Sequence, residues 1–199
     1  NYKTEFINKV SDEQWSYSKK DCESYNVKWN SPFFFKEYHI NKKESEYSMV
    51  FVGKDKGRLL ELLAFKKQMI LLGLKPYIHI APKTKQEYKK NKLYQRSISY
   101  QKILQLIEKS DSILDLLSNP EDGLSLRAME SLFFGKKLIT NSLRIAEYDF
   151  YKSENIFIIG KDDIEHLPDF LKTPYNQNNQ EIIDYYDFDN WVKRFFKTE

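Results

Sequence analysis

The sequence lacks the residues from which disulfides and metal sites are usually built. It has one cysteine, Cys22, so no intrachain disulfide can form and a four-cysteine metal site is excluded. Its three histidines, His39, His79 and His166, lie far apart and show no ligand spacing. No apolar run reaches the roughly 18 residues that a membrane span needs, and the polar, charged start of the chain is unlike a signal peptide. We therefore expect a cytoplasmic protein without a transmembrane segment.

The chain also lacks a basic excess and the common phosphate-binding motifs. Lysine and arginine total 32 against 29 acidic residues, for a net charge of +3. A nucleic-acid-binding domain usually shows a clustered basic excess, so this balance predicts no nucleic-acid partner. Neither the Walker pattern GxxxxGK[ST] nor GxGxxG is present.

From residue 47 onward, short β-rich apolar runs alternate with segments of helical length. The runs that predict strands cover residues 48–53, 77–82, 112–117, 136–140 and 155–160, and the segments that predict helices cover 57–74, 99–110, 124–135 and 181–197. Strands that alternate with helices indicate βαβ units. We therefore predict an α/β protein with a Rossmann-like parallel sheet, helices on both faces and a C-terminal amphipathic helix.

The spacing of apolar residues predicts which face of each helix is buried. Gly73 is predicted to end the first helix. The predicted inward residues are Leu59, Leu62, Leu63, Met69 and Ile70 in the first helix, Ile103, Leu106 and Ile107 in the second, and Ile183, Tyr186, Trp191 and Phe195 in the tail.

Residues 1–48 show no steady period, so we interpret them as an interdomain linker or N-terminal extension and 49–199 as the Rossmann-like domain with its helical tail. Phe33, Phe34 and Phe35 form an apolar cluster in the first segment. We expect this cluster and the Trp191 helix to be exposed in these 199 residues, since their apolar surface would be covered by a neighbouring domain.

Ligands of a parallel α/β sheet bind beyond the carboxyl ends of the strands, where three segments are predicted to lie. In the first, Gly53 and Gly57 allow close approach of the backbone, while Lys54, Lys56 and Arg58 supply the positive charge that suits a diphosphate. Taken alone, this segment is more typical of a solvated turn with ordinary surface charges.

The second segment joins the third strand to the third helix. Asp122 and Gly123 lie at the turn, Ser125 is placed to cap the helix, and Arg127 and Glu130 follow on that helix. The alternative interpretation makes Asp122 and Ser125 simple caps and Glu130 a solvated surface acid. The third segment, Thr140, Asn141 and Ser142, offers hydrogen-bonding groups at the rim, as an ordinary loop also would.

Taken together, the segments resemble glycosyltransferases of the GT-B architecture. The stretch "DGLSLRAMESLFFGKKLIT" is similar to their donor-site signature, in which an acidic residue precedes a glutamate by eight positions, as Asp122 precedes Glu130. The stretches "GLSLRAMESLFFGKKLIT", "YDFYKSENIFII", "TPY" and "NWVKRFF" resemble glycosyltransferases of bacterial lipopolysaccharide and capsule loci and their spore-maturation-type relatives. The resemblance covers most of residues 49–196.

The resemblance implies the C-terminal, donor-binding half of a GT-B enzyme. Glu130 would bind the donor ribose, and the segment Asp122, Gly123, Leu124 and Ser125 would face the sugar or diphosphate. Lys54, Lys56, Arg58 and Arg127 would neutralise the leaving diphosphate. We read "DFD" at 187–189 as a helix cap rather than a metal pair, and we expect no metal and no cofactor.

The implied partners are a nucleoside-diphosphate sugar and a saccharide or lipid-linked saccharide acceptor. The acceptor half and its catalytic base are not found in these 199 residues, so we expect no transferase activity from them alone, and peripheral membrane association only through that other half. The alternative is a non-catalytic Rossmann-like protein-interaction module. A phosphoacceptor receiver domain fits poorly, because the first turn carries lysines on both sides of Asp55 instead of clustered acids.

Overall fold

The computed structural model describes residues 13–41, 43–120 and 124–196. Its strands are β1 (Trp15–Ser16), β2 (Lys28–Trp29), β3 (Tyr47–Lys54), β4 (Pro76–Ala81), β5 (Ser110–Asp115), β6 (Lys137–Thr140) and β7 (Ile156–Ile158). Its α-helices are α1 (Lys19–Tyr25), α2 (Leu59–Leu71), α3 (Lys85–Lys90), α4 (Tyr100–Glu108), α5 (Leu126–Phe134), α6 (Leu167–Lys172), α7 (Gln180–Tyr186) and α8 (Phe188–Lys193), with short 3₁₀ helices at Leu143–Glu147 and Ile164–His166.

Five of the strands form one parallel sheet in the order β4-β3-β5-β6-β7. Consecutive residues of a strand point to opposite faces, so Met49 and Phe51 enter the core beneath α2 and α6, while Val50 enters the core beneath α4, α5 and α7. Both faces of the sheet are therefore covered, as a parallel sheet requires. The predicted α/β fold, a Rossmann-like sheet with helices on both faces, is confirmed.

Helix α2 shows where the prediction of buried faces was partly wrong. Leu62, Phe65 and Met69 are its buried residues, and Gly73 follows the helix with a positive φ of 76°, as predicted for its end. Ile70 was predicted to point inward, but 55% of it is exposed. Phe65 lies between Leu62 and Met69 on the helix surface and completes the buried stripe in its place.

The predicted single tail helix is wrong, because the chain divides into α7 and α8 at Asp187. Phe34 donates its N–H to the Tyr186 carbonyl (3.0 Å) and accepts from the Phe188 N–H (2.9 Å), so a strand-like contact interrupts the helix. The Asp187 carboxylate makes no capping bond and instead accepts from the Lys36 backbone N–H (3.1 Å) and Nζ (3.0 Å). Asp187 therefore occupies the N-cap position of α8, as predicted, but its carboxylate does not make the capping bond.

The break separates the apolar tail residues that were predicted to share one face. Tyr186 is buried in the core of the sheet, with Ile183 packed against it. Trp191 and Phe195 contact the N-terminal segment instead, with ring centroids 4.3 Å apart for Trp191 and Phe33 and 4.9 Å apart for Phe195 and Trp15.

The predicted exposure of the phenylalanine cluster is wrong for Phe34, of which only 3% is exposed. Its ring lies 5.3 Å, centroid to centroid, from those of both Phe133 and Phe134 on α5. The boundary between residues 48 and 49 stays a prediction. In the part of the chain that the structure describes, no helix has both the length and the apolar character needed to cross a membrane.

Candidate functional site

The candidate site lies where β3 and β5 end side by side at the carboxyl edge of the sheet. From β3 the chain runs to β4 on one side, and it later returns to β5 on the other. The two connections diverge at this point, and such a divergence opens the crevice in which parallel α/β sheets bind ligands.

The turn after β3 is built from two residues in the left-handed region, Lys56 (φ 48°) and Gly57 (φ 87°). The Arg58 guanidinium donates to the carbonyls of Lys54 (2.9 Å) and Asp55 (3.2 Å), so this arginine fixes the turn. Lys54 and Lys56 are exposed. Two of the three predicted cations are thus free to meet an anion, while the third also has a structural role.

Gly53 packs closely against the Phe51 side chain of the same strand. A Cβ atom at this position would meet Cζ of the Phe51 ring at 3.0 Å. The Arg58 guanidinium lies 5.4 Å from the centroid of the same ring. The Phe51 ring therefore fills the room beside this glycine, and the close approach of a ligand to the Gly53 backbone stays a prediction.

Asp55, which the sequence analysis did not single out for binding, is buried in the same turn. The Tyr94 hydroxyl donates to Asp55 Oδ2 (2.8 Å), and this hydrogen bond raises the pKa of Tyr94. Asp55 Oδ1 is buried and has no hydrogen-bond partner among the described residues. An acid between two lysines was the only signal in the sequence.

Glu130 is completely buried, which excludes the interpretation of a solvated surface acid. It pairs with Arg127, whose Nη2 also donates to the Val52 carbonyl (3.2 Å) and so reaches from α5 across to β3. Burial raises the pKa of Glu130, although Arg127 acts against that shift. The pair spans the crevice between β3 and β5.

Two buried polar atoms here, Glu130 Oε1 and Tyr100 Oη, make no hydrogen bond of normal geometry within the described ranges. Their only mutual contact is a poorly aligned Tyr100–Glu130 hydrogen bond, which contributes to the pKa shifts of both groups. Burial is the main cause of the raised pKa of Tyr100. Buried polar atoms in proteins are nearly always hydrogen-bonded, so these two are suited to a bound polar ligand.

Asp115, the last residue of β5, is a second buried acid that the sequence analysis missed. It accepts from the Ser125 hydroxyl (2.6 Å), and Ser125 Oγ in turn accepts from the backbone N–H groups of Arg127 (3.0 Å) and Ala128 (3.2 Å). The predicted cap at Ser125 is therefore confirmed. Burial raises the pKa of Asp115, and Arg127 and Arg58 oppose that effect. Its signal in the sequence was a carboxylate within the otherwise apolar run 113–117.

The segment after β6 holds neighbouring loops in place. Asn141 accepts from the Leu117 N–H (2.7 Å) and donates to the Leu117 carbonyl (3.0 Å). The Thr140 hydroxyl oxygen accepts from the Ser142 N–H (3.1 Å), and both of these residues are buried. Their role at the rim of a ligand site stays a prediction.

The structure brings only some of the predicted residues together. Arg58, Arg127 and Glu130 are near enough to Asp115 to influence its pKa, and Ser125 touches it. Leu124 is buried in the core beneath α5. Asp122 and Gly123 lie outside the residues that the structure describes.

Two cavities flank this cluster. One, of about 730 Å³, is lined mainly by aromatic rings of the N-terminal segment and α8, and reaches Tyr100 and Leu124. The other, of about 510 Å³, opens beyond β3 and β4 and includes Lys54. In residues 13–41, 43–120 and 124–196 no three His, Cys, Asp or Glu side chains converge as metal ligands would.

No family model and no curated protein matches the chain in sequence. Solved structures share its fold, and one of them is the crystal structure of TarM, which is similar with a TM-score of 0.64 at 11% identity. The match covers 97% of this chain and 44% of TarM, so the chain spans less than half the length of that protein. The chain thus has a Rossmann-like α/β fold that is similar to part of TarM.

Proposed function

We propose that this chain is the donor-binding part of a glycosyltransferase and that Glu130 binds the ribose of a nucleoside-diphosphate sugar. The observation that carries the proposal is the buried Glu130 carboxylate at the divergence of the sheet, whose Oε1 makes no hydrogen bond of normal geometry within the described residues. A carboxylate can accept two hydrogen bonds from a vicinal diol, and such charge-assisted bonds are the stronger ones. The likeness in fold to TarM, a glycosyltransferase, supports this class of activity.

The cations around the crevice would stabilise the leaving diphosphate. Lys54 and Lys56 are exposed at its edge, and Arg58 and Arg127 lie nearer the buried acids. Positioned positive groups stabilise charge that develops on a leaving group, so they do the work that a metal ion does in other sites. Ser125 fixes the start of α5, where backbone N–H groups favour anions.

The finer assignments rest on the sequence resemblance. Asp122, Gly123 and Leu124 would lie along the sugar, and the acceptor would be a saccharide or lipid-linked saccharide of a bacterial surface polysaccharide such as lipopolysaccharide or capsule. The acceptor half and the catalytic base would belong to another part of the enzyme, since this chain matches only 44% of TarM. Residues 1–199 alone should then bind nucleotide without turnover, and transfer activity in them would contradict the proposal.

A panel of UDP, GDP, CMP, ADP and dTDP tests the donor site by thermal stabilisation, because a ligand that binds only the native state must stabilise it. One nucleotide should raise the melting temperature of the wild type. Glu130→Gln removes the charge but keeps the shape, so affinity should fall by about 10- to 150-fold, which corresponds to a charge-assisted hydrogen bond of about 1.5–3 kcal/mol.

Glu108→Gln is the matched control. Glu108 is also a buried glutamate, but it closes the other end of α4, where it binds Asn41 and Lys43. Nucleotide affinity should be unchanged in this variant. Wild-type affinity in Glu130→Gln would instead favour a non-catalytic interaction module, for which the aromatic cavity beside α8 offers a surface.

A further inference from the structure

The connection from β4 to α4 carries a local excess of positive charge. Residues 83–96 contain one acidic residue, Glu87, and six cationic ones, namely Lys83, Lys85, Lys89, Lys90, Lys92 and Arg96. The whole chain, by contrast, is nearly balanced at +3. A charge excess confined to so short a segment concentrates positive potential at one place on the surface.

This segment is held against the edge strand β4. Gln95 accepts from the Ile80 N–H through its side chain (3.2 Å) and donates its own N–H to the Ile80 carbonyl (2.8 Å). The His79 ring donates Nε2–H to the Arg96 carbonyl (2.8 Å). At its other end, Thr84 and Glu87 form a capping box that begins α3. These hydrogen bonds fix the segment where it lines the second cavity, the one that includes Lys54.

The cavity of about 510 Å³ is bounded by four cations and three hydroxyl-bearing side chains. Its lining residues are Lys54, Pro82, Lys83, Thr84, Tyr88, Lys89, Arg96 and Ser97. The single local acid forms no ion pair with them; Glu87 Oε2 accepts from the backbone N–H groups of Lys83 (2.8 Å) and Thr84 (3.4 Å), and one acid offsets only one of the four charges. Within the described residues, no ion pair involves any of the four lining cations.

We propose that this cavity binds the phosphate group of a ligand about the size of a sugar phosphate. A phosphomonoester carries a charge of about −1.5 to −2 and three acceptor oxygens, which suits several converging donors better than the single charge of a carboxylate does. Arg96 offers the bidentate geometry that phosphate favours. Pro82 and the Tyr88 ring supply apolar surface for the remainder of the ligand.

The inference does not depend on the ribose role of Glu130. The phosphate has two chemical sources: the donor nucleotide itself, which Lys54 would reach from the turn after β3, or a second, phosphorylated substrate. Both sources require the same cations, and the experiment separates them.

The test is isothermal titration at low ionic strength with inorganic pyrophosphate, glucose 1-phosphate, UDP and uncharged glucose. The wild type should bind the phosphorylated probes and not glucose. The Lys89→Ala/Arg96→Ala double variant should bind pyrophosphate and glucose 1-phosphate about tenfold or more weakly, the loss expected for charge-assisted hydrogen bonds. The Lys67→Ala/Lys75→Ala variant, with both lysines exposed and remote from the cavity, should bind as the wild type does.

The response of UDP identifies the source. A parallel loss of UDP affinity in the Lys89→Ala/Arg96→Ala variant assigns the phosphate to the donor, and unchanged UDP affinity assigns it to a second substrate. Absence of phosphate binding to the wild type, or an equal loss in both double variants, overturns the proposal. If Glu130→Gln binds UDP as tightly as the wild type does, while the Lys89→Ala/Arg96→Ala variant still loses phosphate affinity, only the ribose assignment is overturned.

Discussion

Replacing Phe34 tests whether the N-terminal segment belongs to the folded core. Its ring packs against two phenylalanines of α5, and only 3% of the residue is exposed. Its backbone bonds to Tyr186 and Phe188 need no side chain, so Phe34→Ala removes the packing and leaves those bonds available. Phe35 is the matched control, since it is the adjacent residue of the same type with 38% of its surface exposed.

The size of the effect follows from buried apolar area. A phenylalanine buries about 150–250 Å², which at about 25 cal/mol per Å² corresponds to roughly 4–6 kcal/mol. Alanine keeps Cβ, and phenylalanine-to-alanine changes in cores cost about 3–5 kcal/mol. We therefore expect Phe34→Ala to lower the free energy of unfolding by about 3–4 kcal/mol, and Phe35→Ala by about 1–2 kcal/mol because its burial is partial.

Urea unfolding followed by circular dichroism measures both free energies. A loss of 3–4 kcal/mol is a large part of the roughly 5–15 kcal/mol that stabilises a domain, so Phe34→Leu, with an expected cost of about 1–2 kcal/mol, is the second variant. Equal costs at Phe34 and Phe35, or less than about 1 kcal/mol at Phe34, would refute docking of this segment on α5.

Two further predictions concern the buried acids of the site. Ser125→Ala removes both the cap of α5 and the hydroxyl bonded to Asp115, so chemical denaturation should show the free energy of unfolding lowered by about 2–3 kcal/mol. Ser99 only caps α4, so Ser99→Ala should lower it by about 1 kcal/mol. Equal losses in the two variants would contradict the Asp115 contact. The raised pKa of Glu130 means that the folded chain holds its proton to higher pH than the unfolded chain, so this group's contribution to stability falls as pH rises above its ordinary value of 4.5. Thermal melts from pH 4 to 7 should show Glu130→Gln gaining stability relative to wild type as pH rises, and a constant difference would contradict the shift.

The sheet and its helices could be predicted because the structure of each element agrees with its local sequence pattern. Residues 48–53 and 112–117 are apolar runs that only a strand covered on both faces can bury, and the structure places β3 and β5 there, within a few residues. The cap at Ser125 and the stop at Gly73 are equally local, since they depend on side-chain and backbone chemistry within one turn.

The predictions failed where contacts between distant parts of the chain determine the local structure. The sequence of the tail predicts one amphipathic helix. Phe34, far earlier in the chain, instead bonds the backbone groups on either side of Asp187, namely the Tyr186 carbonyl and the Phe188 N–H, and so divides the helix. Similarly, no local pattern shows that Glu130 is buried, because its burial depends on Arg127 reaching across to β3 and on Tyr100 from α4.

The distribution of unpaired polar atoms supports a ligand site at this edge more strongly than any single residue does. Among the described residues four buried side-chain atoms make no hydrogen bond of normal geometry, and three of them, on Asp55, Tyr100 and Glu130, belong to segments that follow the carboxyl ends of β3, β4 and β5. A buried polar atom that is left without a good hydrogen bond costs about 1–3 kcal/mol. Tolerated packing errors would be scattered over the core, whereas a site that a polar ligand completes would collect them in one place, which is where the sheet diverges.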